Sequence, residues 1–331
     1  MTAFRALFVD QKKPEETCLE IKSIQLDDLP EGDVTIRVHY SGINYKDGLA
    51  TLANGNIVKN YPFIPGIDAA GVVIASSDPE FKEGDPVIVT SYGLGVSHFG
   101  GYSEYIRVPS KWVVPLPDGL TLREAMIYGT AGFTAAMSVL ALQDHGAEPQ
   151  DGKVAVSGAT GGVGSFATAI LSELGFSVVA SSGKQGREDY LAKLGADEVV
   201  SREAFQPEKL RPLDKEQFAH AIDCVGGKPL SYLLSTTKYG GSVTTCGMSA
   251  GYQLNTTVYP FILRGIHLLG IDSVYCPYPR RKEVWHHIAT DFKLDSLLDW
   301  VTTEITLQDL PEALEKNIQG GILGRYLVRL I

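Results

Sequence analysis

The stretch Lys153-Val154-Ala155-Val156-Ser157-Gly158-Ala159-Thr160-Gly161-Gly162-Val163-Gly164 limits the possible folds of this chain more than any other. An apolar, β-branched run meets a cluster of glycines. Beyond it Phe166, Ala169, Ile170 and Leu174 recur at helical spacing, so Ser165 to Gly175 reads as a helix. Gly158, Gly161 and Gly164 keep a G-x-x-G-x-x-G spacing between strand and helix. The first glycine permits a tight turn, the second lets backbone N–H groups approach a pyrophosphate, and the third lets helix and strand pack closely. The helix N-terminus then offers unpaired N–H groups to an anion. Thr160, Gly161, Gly162 and Val163 complete the candidate phosphate loop.

Elements on either side of this stretch differ in texture. Before it, short strand-like runs cover Phe4 to Val9, Thr35 to Ser41, Ala70 to Ala75, Pro86 to Thr90 and Gly101 to Val108, punctuated by Pro, Gly and Asp. Such spacing predicts a small closed or partly closed β-barrel. Leu122 to Ala141 predicts one or two helices. After them strands and helices alternate: Val154 to Ser157, Ser177 to Ser181, Glu198 to Val200, His220 to Cys224, Ser242 to Cys246 and His267 to Ile271 read as strands. This alternation predicts an α/β fold with a doubly wound parallel sheet of six strands. Gly324 to Leu330 reads as a last strand that returns to the barrel. A length of 331 residues suits two domains.

The end of the second sheet strand selects the dinucleotide. An NAD-binding sheet usually carries an acidic residue there for the ribose 2′-OH. Here Ser181, Ser182, Lys184 and Arg187 occupy the place, with no carboxylate before Glu188. Hydroxyls and cations suit a 2′-phosphate, so the expected cofactor is NADP(H). Loops at the carboxyl ends of strands line the crevice of an open sheet. That adds Cys224 and Val225, then Cys246, Gly247 and Met248, then Gly270, Ile271, Asp272 and Ser273.

Composition excludes several alternatives. A net charge of −10 opposes a nucleic-acid or anionic-membrane partner. Cys18, Cys224, Cys246 and Cys276 are isolated, with no C-x-x-C, so neither a zinc knuckle nor a disulfide framework is visible. Met1 to Asp10 is too short and charged for a signal peptide, and no apolar run approaches the roughly 20 residues of a membrane span. The expectation is a cytoplasmic protein.

Four stretches carry a resemblance: Gly42-Ile43-Asn44-Tyr45-Lys46-Asp47-Gly48-Leu49, Pro65-Gly66-Ile67-Asp68-Ala69-Ala70-Gly71, Gly129-Thr130-Ala131-Gly132-Phe133-Thr134-Ala135 and Leu268-Leu269-Gly270-Ile271-Asp272-Ser273-Val274. With the glycine motif and the returning strand, they resemble the medium-chain dehydrogenase/reductase superfamily over nearly the whole chain. The closer resemblance is to its zinc-free quinone oxidoreductase branch, in the YhdH/YhfP group that includes acrylyl-CoA reductases. This implies a GroES-like catalytic domain over 1–122 and 297–331 and an NADP-binding Rossmann domain over 123–296. Zinc-dependent relatives place a Cys ligand where this chain reads Asn44-Tyr45-Lys46. With no His pair at ligand spacing, the expectation is no metal.

The resemblance implies hydride transfer from NADPH to an activated C=C bond, as in acrylyl-CoA or a similar enoyl or enone, or to a quinone. Negative charge then develops on the carbonyl oxygen, and fixed donors stabilise it. Asn44 and Tyr45 are candidate catalytic donors, with Asp47 placed to orient either; the proton donor among them stays open. Thr130 and Thr134, at i and i+4, could reach the cofactor from one helix. Asn317 and Gly324-Arg325 resemble a segment near the cofactor. Arg280-Arg281-Lys282 could meet a coenzyme A phosphate, although a solvated helix start suits it better. Relatives are often homodimers, and Ser242 to Cys246 or Tyr259 to Leu269 could supply the interface.

Three rival readings differ in class. A non-catalytic NADPH-binding sensor or scaffold keeps the fold and binds cofactor without turnover. A surviving alcohol dehydrogenase requires bound zinc. Tyr278 and Lys282 fit the Y-x-x-x-K pattern of short-chain dehydrogenases, but Pro277 and Pro279 disfavour the continuous helix that pattern needs.

Overall fold

The structure, a computed structural model, describes residues 3–13, 15–184 and 186–331. The chain forms two compact units. One contains Met1–Thr130, Val274–Ala289 and Leu298–Ile331; the other contains Ala131–Ser273 and Thr290–Leu297. The second unit therefore begins at Ala131 rather than 123, and 274–289 lies with the first.

In chain order the first unit opens with β1 (Ala3–Lys13), β2 (Glu16–Gln25), β3 (Val34–Gly42), α1 (Tyr45–Ala50), β4 (Asp68–Ser76), β5 (Pro86–Thr90), β6 (Tyr105–Val108) and β7 (Val113–Pro115). Next comes α2 (Leu122–Asp144), which leaves helical geometry at Gly129 with φ 50° and ψ −156°. The second unit follows with β8 (Val154–Val156), α3 (Gly162–Glu173), β9 (Val178–Ser182), α4 (Glu188–Lys193), β10 (Glu198–Ser201), β11 (His220–Asp223), α5 (Gly227–Thr236), β12 (Ser242–Thr245), α6 (Tyr259–Arg264) and β13 (His267–Gly270). The chain closes with α7 (Tyr278–Ala289), α8 (Leu298–Val301), β14 (Thr302–Thr306), α9 (Leu310–Ile318) and β15 (Arg325–Arg329).

In the first unit seven strands form one sheet ordered β14-β15-β3-β4-β5-β7, with β6 also on β3. Its key strand is β3. Val34, Ile36 and Val38 alternate inward, as a half-buried strand requires, and join Val73, Val87, Val89, Ile106 and Val328 in one core. The far end of β3 pairs antiparallel with β15, Gly42 opposite Leu327, so the last strand does return to the N-terminal sheet. Leu310 and Leu314 of α9 bury against the same core. Separately, β1 and β2 form a two-stranded hairpin. The polar, half-exposed run of β2 gave no strand signal in the sequence.

The second unit holds six parallel strands ordered β10-β9-β8-β11-β12-β13. That is the doubly wound dinucleotide-binding order. Every residue of β8 is buried, as a strand covered on both faces should be. Because β12 lies between β11 and β13, Ser242 to Cys246 is no sheet edge; β13 is.

Two sequence expectations need correction. The 23-residue α2 is long and apolar enough to cross a membrane by length and composition, although no such run was expected. Its apolar window is 83% buried within the fold and the helix breaks at Gly129, so it is a core helix. Residues 278–289 form the helix that the two prolines were expected to disfavour. Pro279 stands in the first turn, where its missing N–H has no intrahelical partner to lose.

Candidate active site

In the first unit a buried carboxylate gathers the candidate polar residues. Asp68, at the start of β4, is fully buried. Its Oδ2 accepts from the Asn44 side-chain amide at 2.7 Å and from the Thr130 N–H at 2.9 Å. Its Oδ1 accepts the Thr130 hydroxyl at 2.5 Å, and the Ser91 and Thr130 hydroxyls lie 3.1 Å apart. The kink at Gly129 makes this possible. A Cβ there would stand 2.5 Å from Asp68 Oδ2 and 2.8 Å from the Arg325 guanidinium, besides adopting a positive φ.

Arg325, buried on β15, donates to the Ile127 and Ile43 carbonyls at 2.9 and 2.8 Å, and to Asn44 Oδ1 at 3.3 Å. Its remaining nitrogen stands 3.9 Å from Asp68 Oδ2 and has no hydrogen-bond partner among the described residues. The Asn44 amide is thus held at both ends, by Asp68 and Arg325. Asp47, expected to orient Asn44 or Tyr45, bonds the Asn44 backbone and not its side-chain amide. It caps α1, accepting the Asn44 N–H at 2.7 Å, and receives the Ile67 N–H at 2.9 Å. Burial, and next the Asp68 charge, push the Asp47 carboxyl up to about 7 against these hydrogen bonds. In these bonds Asp47 ties the start of α1 to Ile67 ahead of β4.

Tyr45, by contrast, is 51% exposed, and its phenol has no partner among the described residues. Thr134 is buried and falls in the second unit, whereas Thr130 falls in the first. Asn317, in the last turn of α9, lies beside Gly48, and its side-chain oxygen is buried without a partner among the described residues. Arg281 cannot serve a coenzyme A phosphate. It is fully buried, with bonds to Thr90, Tyr92 and Val274 and its guanidinium 4.3 Å from the Tyr92 ring centroid. Arg280 pairs with Glu283 at 3.0 Å, and the Lys282 ammonium lies 4.8 Å from the Tyr278 ring centroid.

In the second unit the glycine turn has the geometry its spacing predicts. Gly158 has φ 61°, Gly161 precedes the first turn of α3, and Gly162 and Val163 lie in that turn. A Cβ on Gly164 would stand 2.4 Å from the Gly158 carbonyl oxygen, so helix and turn touch backbone to backbone. Thr160 Oγ1 meets Ser182 Oγ at 2.9 Å and ties the turn to the end of β9. Ser181 Oγ bonds back to the Ser201 carbonyl at 3.4 Å. Lys184 is half-buried; burial and then the nearby Arg187 charge lower its pKa, a strain that an anion would relieve. Gln185 lies outside the described residues.

Two features of this crevice escaped the sequence reading. Ser182 and Ser201 are paired in register, which brings Arg202 over Gly183: a Cβ on Gly183 would meet its guanidinium carbon at 2.7 Å. Arg202 thus joins Lys184 and Arg187 at the end of β9. The other is Asp223, whose buried carboxylate accepts from Ser157 Oγ at 2.7 Å, the Gly226 N–H at 2.8 Å and Thr245 Oγ1 at 3.2 Å. Burial pushes its pKa up while these bonds pull it down. It fixes the loop carrying Cys224 and Val225, whose side chains lie over Gly158. Beside it a crevice of about 580 Å³ is lined by Cys246, Gly247, Met248, Gly270, Ile271 and Asp272, among others. Ser273 follows directly as the last residue of that segment.

A parallel sheet in this order, with a glycine cradle that any Cβ would fill and a cationic rim, defines a dinucleotide-binding protein. Comparison with known proteins agrees. Residues 30–118 match the family model described as alcohol dehydrogenase GroES-like domain, and 162–316 the one described as zinc-binding dehydrogenase. A Bacillus subtilis protein named quinone oxidoreductase YhfP is 53% identical over 99% of both chains. Its crystal structure with NAD bound superposes with TM-score 0.97 over 100% of both chains at 52% identity. The Ruegeria pomeroyi acrylyl-CoA reductase AcuI is 47% identical over 98% of each. The Salmonella enterica yhdH oxidoreductase, in complex with NADP, has TM-score 0.96 at 46% identity, covering 99% of this chain and 100% of that one. The chain belongs to the medium-chain dehydrogenase/reductase superfamily, in the group of YhfP, YhdH and AcuI.

One family name implies zinc, and the residues do not fit it. Among the described residues no three His, Cys, Asp or Glu side chains cluster closely enough to hold a metal ion.

Proposed function

We propose that this protein is an NADPH-dependent reductase acting on an activated C=C bond, of acrylyl-CoA or a similar enoyl or enone, or on a quinone. The observation that carries the reading is the three-glycine cradle of β8 and α3 joined at the end of β9 to Lys184, Arg187 and Arg202. The cradle suits a pyrophosphate, and the cations suit a 2′-phosphate. The relatives named above, acrylyl-CoA reductase and quinone oxidoreductase, support the two acceptor classes. When bound, the nicotinamide supplies the hydride.

The chain's own residues do the rest. Gly158, Gly161, Gly162, Val163 and Gly164 seat the phosphates, and Ser182 and Thr160 brace that loop. Tyr45 offers an exposed phenol as hydrogen-bond donor to a substrate carbonyl oxygen, and Asn44, fixed by Asp68 and Arg325, offers its second amide hydrogen. Asp68 and Arg325 act as positioning residues. We further assign a soluble, cytoplasmic homodimer in which β13 of two copies pair, since among the described residues that edge strand pairs with β12 alone. Exposed Ile262 and Leu263 of the preceding helix would be covered in the same assembly.

The test is NADPH oxidation at 340 nm with acrylyl-CoA and a small quinone in parallel, NADH serving as control. Acrylyl-CoA turnover well above the quinone assigns an enoyl-thioester reductase. Quinone turnover alone assigns a general reductase. Binding of NADPH without turnover of either overturns the proposal in favour of a sensor.

A further inference from the structure

Strands β11 and β12 run parallel, with Ile222 opposite Thr244 and Asp223 opposite Thr245. The ladder continues one step further, the Cys246 N–H donating to the Asp223 carbonyl at 3.0 Å. The next pair in that register is Cys224 and Cys246. Paired strands lie about 4.8 Å apart, inside the roughly 4.4–6.8 Å between Cα atoms that a disulfide spans. Side chains of laterally paired residues leave a parallel sheet on the same face. The chains stay close beyond that point, since a Cβ on Gly247 would stand 3.3 Å from the Cys224 Cα. Both thiols are free, and the Cys246 thiol donates to the Asp223 carbonyl, one residue before Cys224, at 3.4 Å.

We propose that Cys224 and Cys246 are a site of reversible oxidation, closing to a disulfide beside the glycine turn when a low-molecular-weight disulfide or hydrogen peroxide enters the crevice. With a small disulfide, the Cys246 sulfur attacks one of its sulfurs and expels the first small thiol. The Cys224 sulfur then attacks the Cys246 sulfur of the mixed disulfide and expels the second. Two protein S–H bonds are lost and one S–S bond forms; the two electrons leave on the small disulfide, which departs as two thiols. With peroxide, Cys246 passes through a sulfenic acid, and two waters leave. The order follows from placement. Cys246 lines the crevice and meets the oxidant first, while contact with Cys246 and burial raise the Cys224 thiol and leave it the resolving partner.

The remaining thiols are internal controls: Cys276 is buried, and Cys18 lies on β2 of the other unit. The experiment treats the folded protein with oxidised glutathione, quenches with acid and alkylating agent, and maps the peptides by mass spectrometry. Most wild-type molecules should lose two hydrogens and yield one cross-linked peptide pair carrying Cys224 and Cys246, restored by dithiothreitol. In Cys224→Ser, glutathione should remain on Cys246; in Cys246→Ser, no cross-link should form. Persistent glutathione on wild-type Cys246 would overturn the proposal, as would oxidation confined to Cys18. The readout needs no turnover, so it stands apart from the fate of the reductase reading.

Discussion

The side-chain amide of Asn44 donates to Asp68 Oδ2 at 2.7 Å, although the two residues lie on different elements of the first unit. The same carboxylate holds Thr130 twice and faces the unpartnered nitrogen of Arg325. One buried charge thereby positions the Asn44 loop, the kink of α2 and the last strand. Removing a buried charge from such a pair strands its partner, at a cost of about 3–5 kcal/mol. Asp68→Asn should therefore destabilise the protein by roughly that amount, read as a lowered urea midpoint at unchanged slope. A loss under about 1 kcal/mol would mean that Arg325 is satisfied without it.

Asp47 predicts a pH dependence of opposite sign to that of an ordinary carboxylate. Its folded pKa is raised from 3.8 to about 7, so between these values the folded state binds more protons than the unfolded chain. Stability contributed by the protonated form is full below the unfolded pKa and is lost as pH rises through about 7. The slope for one group is at most about 1.4 kcal/mol per pH unit. Asp47→Asn lacks this titration. Its stability deficit against the wild type should be larger at pH 5 than at pH 7.5. Denaturant midpoints of both proteins at the two pH values check this, and a deficit that grows with pH refutes it.

Much of this was legible from local signals, and the rest was not, for a common reason. The glycine turn announces itself because strand, turn and helix are contiguous in sequence. Arg202 does not: it reaches Gly183 only through the parallel pairing of Ser201 with Ser182. Counting residues past the end of each strand would have found it. Asp68 stood inside a noticed stretch, yet its role depends on meeting residues 44, 130 and 325 in space. Asp47 was read as an orienting group because a capping side chain and a catalytic one look alike before burial is known. Arg281 was read with its neighbours as surface charge. One turn of helix puts its guanidinium among Thr90, Tyr92 and Val274 instead.

The glycines of the turn should separate packing from ligand space. A Cβ on Gly164 meets backbone on two sides, at 2.4 Å from the Gly158 oxygen and 2.6 Å from the Ala159 Cα. Neither can swing away. Gly164→Ala should lower the melting temperature and weaken NADPH binding together. On Gly161 the nearest such contact is the Gly158 oxygen at 3.3 Å, so Gly161→Ala should melt within a few degrees of the wild type. Its methyl would still occupy the backbone approach to the pyrophosphate, and binding should fall at least about tenfold, or 1.4 kcal/mol. Thermal melts with NADPH fluorescence titrations distinguish the two; unchanged binding in Gly161→Ala would remove the pyrophosphate from this turn.

The choice between NADPH and NADH rests on charge at one strand end. A 2′-phosphate beside Lys184, Arg187 and Arg202 gains charge-assisted hydrogen bonds worth about 1.5–3 kcal/mol each. A 2′-hydroxyl gains little from them. Relatives of this chain have been crystallised with either dinucleotide, so the preference must be measured. Lys184→Ala combined with Arg202→Ala should raise the KM for NADPH by about 10- to 100-fold and leave that for NADH within about twofold. Added salt should narrow the wild-type preference by screening the phosphate. Neither side chain lies in a buried core, since Arg202 is 59% exposed and Lys184 half-buried, so a folding defect should not obscure the comparison. If both cofactors weaken in parallel, these cations hold the loop rather than the phosphate. The two serines would then be left to select the cofactor; Ser181 is already turned to the Ser201 carbonyl and Ser182 to Thr160, a poor substitute for a cation.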